Sequence, residues 1–264
     1  MAEIVSASRR TDIPAFHAAW FGASLAAGRA TFRAPYSGKP AAVYLAREDV
    51  AAFVFWTRNP APFLPVLSRL EDAGYPSILH FTLTGMPREL EPSVPDAAAG
   101  LRAFRALSRL VGPDRVLWRF DPILPGDSPR SLIERFDALS ASLSGLTRRC
   151  TVSLAHPYRK SVRATRSVPG IWEPAKGMRE GIDRIRRMGE DRGFSVVSCC
   201  SPGLSEWGIP PAACVDGPLL RRLFPGAGIP DGARPVRPGC LCSPSRDIGE
   251  YRTCRHGCRY CYAG

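Results

Sequence analysis

The sequence predicts an α/β protein, a partial (β/α)6 TIM-like barrel with an irregular cysteine-rich C-terminal extension. Short apolar runs alternate with helical stretches six times between residues 1 and 200. Polar residues follow each apolar run, at the strand ends where β/α barrels build their sites. After residue 200, proline and glycine become frequent, and helical periodicity survives only around residues 218–224. Strands that alternate with helices imply parallel pairing, which a doubly wound sheet would also satisfy.

Six strands are expected, each a short apolar run bounded by polar or turn residues. They cover residues 3–7, 52–56, 77–83, 115–120, 151–155 and 194–198. Helices are expected where apolar residues recur at helical spacing. They cover residues 16–27, 63–73, 97–111, 131–143 and 176–192, with a short extra strand at 43–45 and a helical turn at 48–51. Gly74 and Gly193 mark two helix ends.

We expect a barrel core over residues 1–200 and a cysteine-rich extension over residues 201–264 packed on the barrel mouth. The chain has 264 residues, 45% of them hydrophobic and 23% charged, as in ordinary globular proteins. No apolar run approaches a membrane span, and we find no secretory signal. Nine cysteines, an odd number with local clustering, indicate metal or redox chemistry in a reducing compartment such as the cytoplasm.

The formal net charge of +12 comes mostly from arginine, and such a balance attracts polyanions. The arginines are dispersed, without a long basic run or interleaved aromatic residues. A nucleic-acid partner is therefore not favoured, and no membrane partner is expected.

Three cysteines near the end of the chain, Cys254, Cys258 and Cys261, have the spacing C-x3-C-x2-C. Ligation by cysteine alone favours an iron–sulfur cluster or zinc. Three local ligands would leave one iron of a [4Fe-4S] cluster open to a small chelating ligand. The alternative is a zinc site with His256 as fourth ligand, although zinc sites usually pair two local ligands with two distant ones.

This motif, with Tyr260 before its last cysteine, resembles the signature of radical S-adenosylmethionine (SAM) enzymes. Its C-terminal position resembles the domain-of-unknown-function family 1848, as do the stretches 6–14, 55–60 and 247–249. The resemblance implies a [4Fe-4S] cluster whose open iron chelates SAM, and backbone contact between Tyr260 and adenine. It implies reductive cleavage of SAM to a 5′-deoxyadenosyl radical, with an electron donor such as a flavodoxin or ferredoxin and an unknown substrate.

Charged and polar side chains at the predicted strand ends would complete the site. Arginines there could clamp an anion, such as the SAM carboxylate, through bidentate hydrogen bonds. Alternatively, they pair with Asp12 and Asp121 across the barrel mouth. The predicted catalytic residues are Arg10, Asp12, Arg119, Asp121 and His156, and the predicted cofactor-binding residues are Tyr260, Arg9, Arg58 and Thr84.

Four further cysteines predict a second metal site: Cys200, Cys214, Cys240 and Cys242. It would be a second iron–sulfur cluster or a structural zinc that holds the irregular extension in shape. The alternative is a set of separate buried thiols. Because adjacent strand residues point to opposite faces, only one of Cys199 and Cys200 is expected to join, and Cys200 is preferred.

The leading hypothesis is a radical-SAM-like iron–sulfur enzyme, an oxidoreductase or lyase. One alternative is a nucleic-acid repair lyase, because the Tyr-Cys-Tyr ending also resembles spore photoproduct lyases. Others are a zinc-stabilised protein that binds a small anion, and an electron-transfer protein with two clusters.

Overall fold

The computed structural model describes residues 2–263, which form an α/β fold around a parallel sheet. The strands are β1 (Glu3–Ala7), β2 (Arg29–Arg33), β3 (Pro40–Tyr44), β4 (Val50–Thr57), β5 (Ser77–Thr82), β6 (Val116–Arg119), β7 (Arg149–Val152), β8 (Ser195–Ser198) and β9 (Arg246–Asp247). The α-helices are α1 (Ile13–Phe16), α2 (Ala18–Ala26), α3 (Leu64–Asp72), α4 (Ala97–Val111), α5 (Pro129–Leu143), α6 (Arg159–Ala164), α7 (Met178–Asp191) and α8 (Gly217–Leu223). No helix within the described residues is both long and apolar enough to cross a membrane.

The main sheet has seven strands in the order β8-β7-β6-β5-β4-β1-β9, and every neighbouring pair is parallel. The six expected strands are present as β1, β4, β5, β6, β7 and β8. From β1 to β8 each strand of this sheet is added on the same side of the one before it, and only the two-residue β9 lies on the other side of β1. The doubly wound alternative, which needs a switch point within this series, is therefore wrong. Over residues 2–263 no ladder joins β8 to β9, so the sheet does not close into a barrel.

Two local expectations are wrong. Residues 48–51 do not form a helical turn, because β4 already begins at the buried Val50. The helix expected over residues 16–27 is divided at His17, whose φ of −129° is not helical. The short extra strand expected at 43–45 is present as β3, which begins earlier, at Pro40, and pairs with β2 in an antiparallel hairpin separate from the main sheet. Helix α6 and strand β9 were not expected from the sequence.

The two faces of the main sheet have different coverings. Successive strand residues face opposite sides, so Phe53 and Trp118 pack against the helices while Val54 and Leu117 pack against the C-terminal extension. Leu219 of α8 belongs to this second core. The extension therefore shares its apolar core with the face of the sheet. Strands buried on both faces are apolar throughout, which explains why their sequences form continuous apolar runs.

Candidate functional site

A cavity of about 570 Å³ lies at the carboxyl ends of the parallel strands. This volume is typical of a small-molecule site, and the position is the one that β/α folds use for ligands. Side chains at the ends of successive strands line it, including Ser8, Thr57, Arg119 and Cys199. The loop of residues 251–263 lines it as well, so the cavity joins the strand ends to the C-terminal motif.

All three cysteines of the C-terminal motif line this cavity and are partly buried. Burial raises the pKa of Cys258 to about 12, although the nearby charge of Arg58 acts in the opposite direction. The backbone N–H of Ala263 donates to Cys261 Sγ at 3.3 Å. The loop therefore directs three thiols, and an amide that can stabilise a sulfur anion, toward one space.

His256 fastens this loop to the first strand end. Its Nε2 lies 2.8 Å from Asp12 Oδ2, and its Nδ1 lies 3.3 Å from the Ser93 carbonyl oxygen. Both ring nitrogens thus have protein partners, so His256 is not free to be a fourth zinc ligand. The Asp12 carboxylate also accepts the backbone N–H groups of Ala15 and Arg58 at 2.9 and 2.8 Å. Asp12, a predicted catalytic residue, is therefore placed to position the loop.

Tyr260 is held by a buried polar network. Its hydroxyl contacts Arg58 and Glu91, and Arg58 Nη1 donates to Glu91 at 2.7 Å. Thr84, a predicted cofactor-binding residue, donates to the same carboxylate at 2.8 Å, so it supports Glu91. Burial opposes the charged form of Arg58, yet Tyr260 and Glu91 raise its pKa above the ordinary value. This network fixes both the side chain of Tyr260 and the cation beside the cysteines.

Asp247 joins the first strand end to the segment before the cysteine loop. Its carboxylate accepts a hydrogen bond from Ser8 Oγ at 2.6 Å, and two more from the backbone N–H groups of Arg9 and Gly249 at 2.9 and 3.0 Å. The guanidinium groups of Arg9 and Arg10 lie 3.6 and 3.7 Å from it. The predicted pairing of these arginines across the cavity mouth therefore occurs with Asp247 and not with Asp12 or Asp121.

Arg119 does pair with Asp121, as the alternative interpretation expected, and Asp121 also accepts the hydroxyl of Ser153. Arg119 is 7% exposed, and its buried Nη1 has no hydrogen-bond partner among residues 2–263. The remaining predicted catalytic residue, His156, lines the same cavity with its ring packed edge-on against Tyr158. The cavity thus brings together every predicted catalytic residue, although Asp12 has a structural task.

Five thiols form a second group, here called the thiol row. Hydrogen bonds link neighbouring thiols in the order Cys200, Cys199, Cys214, Cys242 and Cys240. The sulfurs of Cys214 and Cys242 lie 3.3 Å apart. Cys199 and Cys200 both belong to the row, since β8 ends at Ser198 and Cys200 has a left-handed φ of 49°. Strand alternation therefore does not apply to this pair.

Hydrogen bonds polarise the thiol row. Those from Cys200 and Cys214 lower the pKa of Cys199 below its usual range, with Arg119 adding to the effect. The hydrogen bond from Cys214 lowers the pKa of Cys242 to about 5, although burial opposes the charged form.

The cysteines have the chemistry of a metal site but not yet its geometry. Within residues 2–263, no three histidine, cysteine or acidic side chains surround a single metal position. Both cysteine groups fit a metal centre through their ligand chemistry, since sets of thiolates bind iron–sulfur clusters or zinc.

Four residues important to this arrangement were absent from the predicted site: Glu91, Cys199, Asp247 and His256. Glu91 lies in an irregular segment, with no pattern to connect it to the distant Arg58. Asp247 precedes the cysteine motif and His256 lies within it, but only the fold shows that both form hydrogen bonds with residues that follow β1. Cys199 was set aside on the assumption that β8 continues through it. The remaining cysteine, Cys150, belongs to neither group and is buried in the helix-side core.

Comparison with known proteins assigns the chain to a family without assigning an activity. No curated protein and no solved structure matches it. The family model DUF1848, described as a domain of unknown function, matches residues 4–263. This match includes the strand ends, the thiol row and the C-terminal cysteine motif. The expected resemblance to the domain-of-unknown-function family 1848 is thereby confirmed, and the chain belongs to that family.

Proposed function

We propose that the protein is a radical-SAM-like enzyme with a [4Fe-4S] cluster on Cys254, Cys258 and Cys261. One observation carries the proposal: all three cysteines, on a loop anchored at both Asp12 and Glu91, line a ligand-sized cavity at the strand ends. Three thiolates supply one ligand fewer than the four irons of such a cluster, which leaves one iron for a chelating ligand. When bound, the cluster would supply the electron that cleaves SAM to a 5′-deoxyadenosyl radical.

The residues of this chain would bind and orient the ligands. Arg9 and Arg10 form salt bridges with Asp247, and Arg58 forms one with Glu91. These contacts fix the positions of the guanidinium groups at the cavity wall. Rigid guanidinium groups suit recognition of a carboxylate such as that of SAM. His156, with Arg119 and Asp121, lies where a substrate in the cavity could exchange a proton with it.

The fold supports the same proposal. Strands that follow one another without reversal, with helices packed on one face, are what a partial (β/α)6 barrel requires. We propose that the sheet is such a barrel, with the extension covering its inner face. Nine free cysteines favour a reducing compartment such as the cytoplasm, where a flavodoxin or ferredoxin could donate the electron.

The test is SAM cleavage by anaerobically reconstituted protein. Wild-type protein is incubated with SAM and dithionite, and 5′-deoxyadenosine is measured by chromatography. We expect product from the wild type and a loss of at least about 100-fold in the triple variant Cys254→Ala, Cys258→Ala and Cys261→Ala. Cys150→Ala, which removes a thiol outside both groups, serves as the control and should retain cleavage. Equal product from the triple variant would refute the cluster assignment.

The same preparation distinguishes the alternative functions. Reversible reduction of iron without SAM cleavage would indicate an electron-transfer protein. Zinc without iron after reconstitution would indicate a binding protein on the same scaffold. DNA binding that weakens steeply with salt, together with SAM cleavage, would favour the repair lyase.

A further inference from the structure

The thiol row is a site in its own right, distinct from the C-terminal cysteine motif. Its members come from the end of β8 and from the extension, whereas the motif occupies the loop of residues 251–263. Cys199, Cys240 and Cys242 are each at most 5% exposed. Cys240 and Cys242 belong to the core on the extension side of the sheet, and Cys214 packs against it, with 3.3 Å between the sulfurs of Cys214 and Cys242. Cys199, Cys214 and Cys240 line one cavity. Such convergence of soft ligands is characteristic of a thiolate-bound metal centre.

We propose that Cys199, Cys214, Cys240 and Cys242 bind a second metal centre, either zinc or an iron–sulfur cluster, and that Cys200 is not a ligand. Cys214 occupies the middle of the row, in contact with Cys199 on one side and Cys242 on the other. Cys240 contacts Cys242, so these four thiols are continuous. Cys200 forms hydrogen bonds with Cys199 and with Arg237, at the more exposed end of the row. The row would close around the metal on loading, because its sulfurs do not yet surround one point.

Charge and backbone contacts support the same four ligands. Four thiolates carry four negative charges, and Zn²⁺ or the core of an oxidised [4Fe-4S] cluster neutralises two of them. A buried cation nearby would therefore stabilise the remaining net negative charge. Arg119 supplies it: its charge acts on Cys199 and Cys214, and its buried Nη1 has no other partner within the described residues. The backbone N–H of Val215 lies 3.4 Å from Cys242 Sγ and can donate to it. Hydrogen bonds of this kind stabilise sulfur ligands.

A metal centre here also explains how the extension keeps its shape. Between α8 and β9, residues 224–245 have no helix or strand. Cys240 and Cys242 lie in this irregular stretch, and Cys199 lies at the end of the sheet. A centre that joins them would fasten the irregular stretch to β8, as structural metals do in small domains.

The experiment uses the whole chain carrying Cys254→Ala, Cys258→Ala and Cys261→Ala, so that any remaining metal reports the thiol row. Iron, zinc and acid-labile sulfide are measured after anaerobic purification. We expect about one zinc per chain, or about four irons with four sulfides. Adding Cys199→Ser should lower this content at least tenfold, whereas adding Cys200→Ser should leave it unchanged. Absence of both metals from the triple variant, or equal loss with Cys200→Ser, would overturn the proposal.

A second measurement needs no further variant. The triple variant is alkylated with iodoacetamide before and after removal of metal by a chelator, and the labelled cysteines are mapped by mass spectrometry. Labelling of Cys199, Cys214, Cys240 and Cys242 should rise after chelation, whereas the core residue Cys150 should stay unlabelled. Metal-dependent protection of Cys200 in place of Cys199, or a Cys214–Cys242 disulfide instead of bound metal, would contradict it. Because SAM cleavage plays no part here, this site and the proposed function can fail independently.

Discussion

Replacing Asp247 with asparagine should destabilise the protein strongly, although the two side chains have nearly the same shape. The Oδ1 and Oδ2 atoms of Asp247 each accept one backbone N–H, from Gly249 and Arg9 respectively. An asparagine amide would face one of these N–H groups with its own donor, in either orientation. Leaving a buried donor unsatisfied costs about 1–3 kcal/mol. Removing the acid partner of a buried ion pair costs about 3–5 kcal/mol, and Asp247 faces two arginines while only 5% of its side chain is exposed.

These two costs overlap, so we expect Asp247→Asn to lower the free energy of unfolding by about 3–5 kcal/mol. That is a large part of the roughly 5–15 kcal/mol that stabilises a typical domain. At about 2 °C per kcal/mol, the melting temperature should fall by about 6–10 °C. The assay is thermal unfolding followed by circular dichroism. Asp231→Asn is the matched control, because Asp231 pairs with Arg221 while 93% exposed, and it should melt like the wild type. A change below about 1 kcal/mol for Asp247→Asn would refute the role of Asp247 in joining the two segments.

Three further predictions concern the same site. His256→Ala removes the contact with Asp12, so the iron retained after reconstitution should fall severalfold. Far-ultraviolet circular dichroism should stay unchanged, which would show that the variant is folded. Full iron content would show that the loop needs no such anchor. Gly249→Ala would drive a new methyl group into Ser8, and overpacking of this kind costs about 1–3 kcal/mol. Chemical denaturation should reveal that loss, while Gly203→Ala, where the added methyl group meets open space, should not change stability. Arg58→Lys retains the positive charge but loses the two-pronged contact of the guanidinium group with Glu91 and Tyr260. The affinity for SAM, measured by calorimetry, should therefore fall about tenfold. An unchanged affinity would place Arg58 outside the cofactor site.

The alternation of apolar runs and helical stretches was enough to predict six strands of the main sheet, because a buried strand is visible as a local apolar run. The parallel pairing followed from the helical stretch between successive strands. Helix α4 begins and ends where its periodicity does, at Ala97 and Val111. The hairpin of β2 and β3 was missed because β2 is mostly exposed and carries no apolar run. Strand β9 has only two residues, and its pairing with β1 depends on the tertiary bonds of Asp247.

The sequence was enough to predict which residues line the candidate site, but not which of them contact one another. Strand ends gather their side chains at one edge of a parallel sheet, so Arg119, Asp121 and His156 could be grouped without a structure. Which acid pairs with which arginine depends on segments that meet only in the folded chain. Glu91 lies in a loop and Asp247 lies in the two-residue strand β9, and no spacing in the sequence connects them to Arg58 or Arg9. The preference for Cys200 over Cys199 relied on strand alternation, which does not reach this pair because Cys200 is left-handed.

The measurement that tests the central claim most directly is electron paramagnetic resonance of anaerobically reconstituted, dithionite-reduced protein with and without SAM. The proposal predicts a reduced [4Fe-4S] signal whose shape changes when SAM is added, because SAM would bind the open iron. It also predicts that this change is lost in the triple variant Cys254→Ala, Cys258→Ala and Cys261→Ala, whatever signal the thiol row contributes. A signal that SAM leaves unaltered, or the same change in the triple variant, would contradict a SAM-binding cluster at the C-terminal motif.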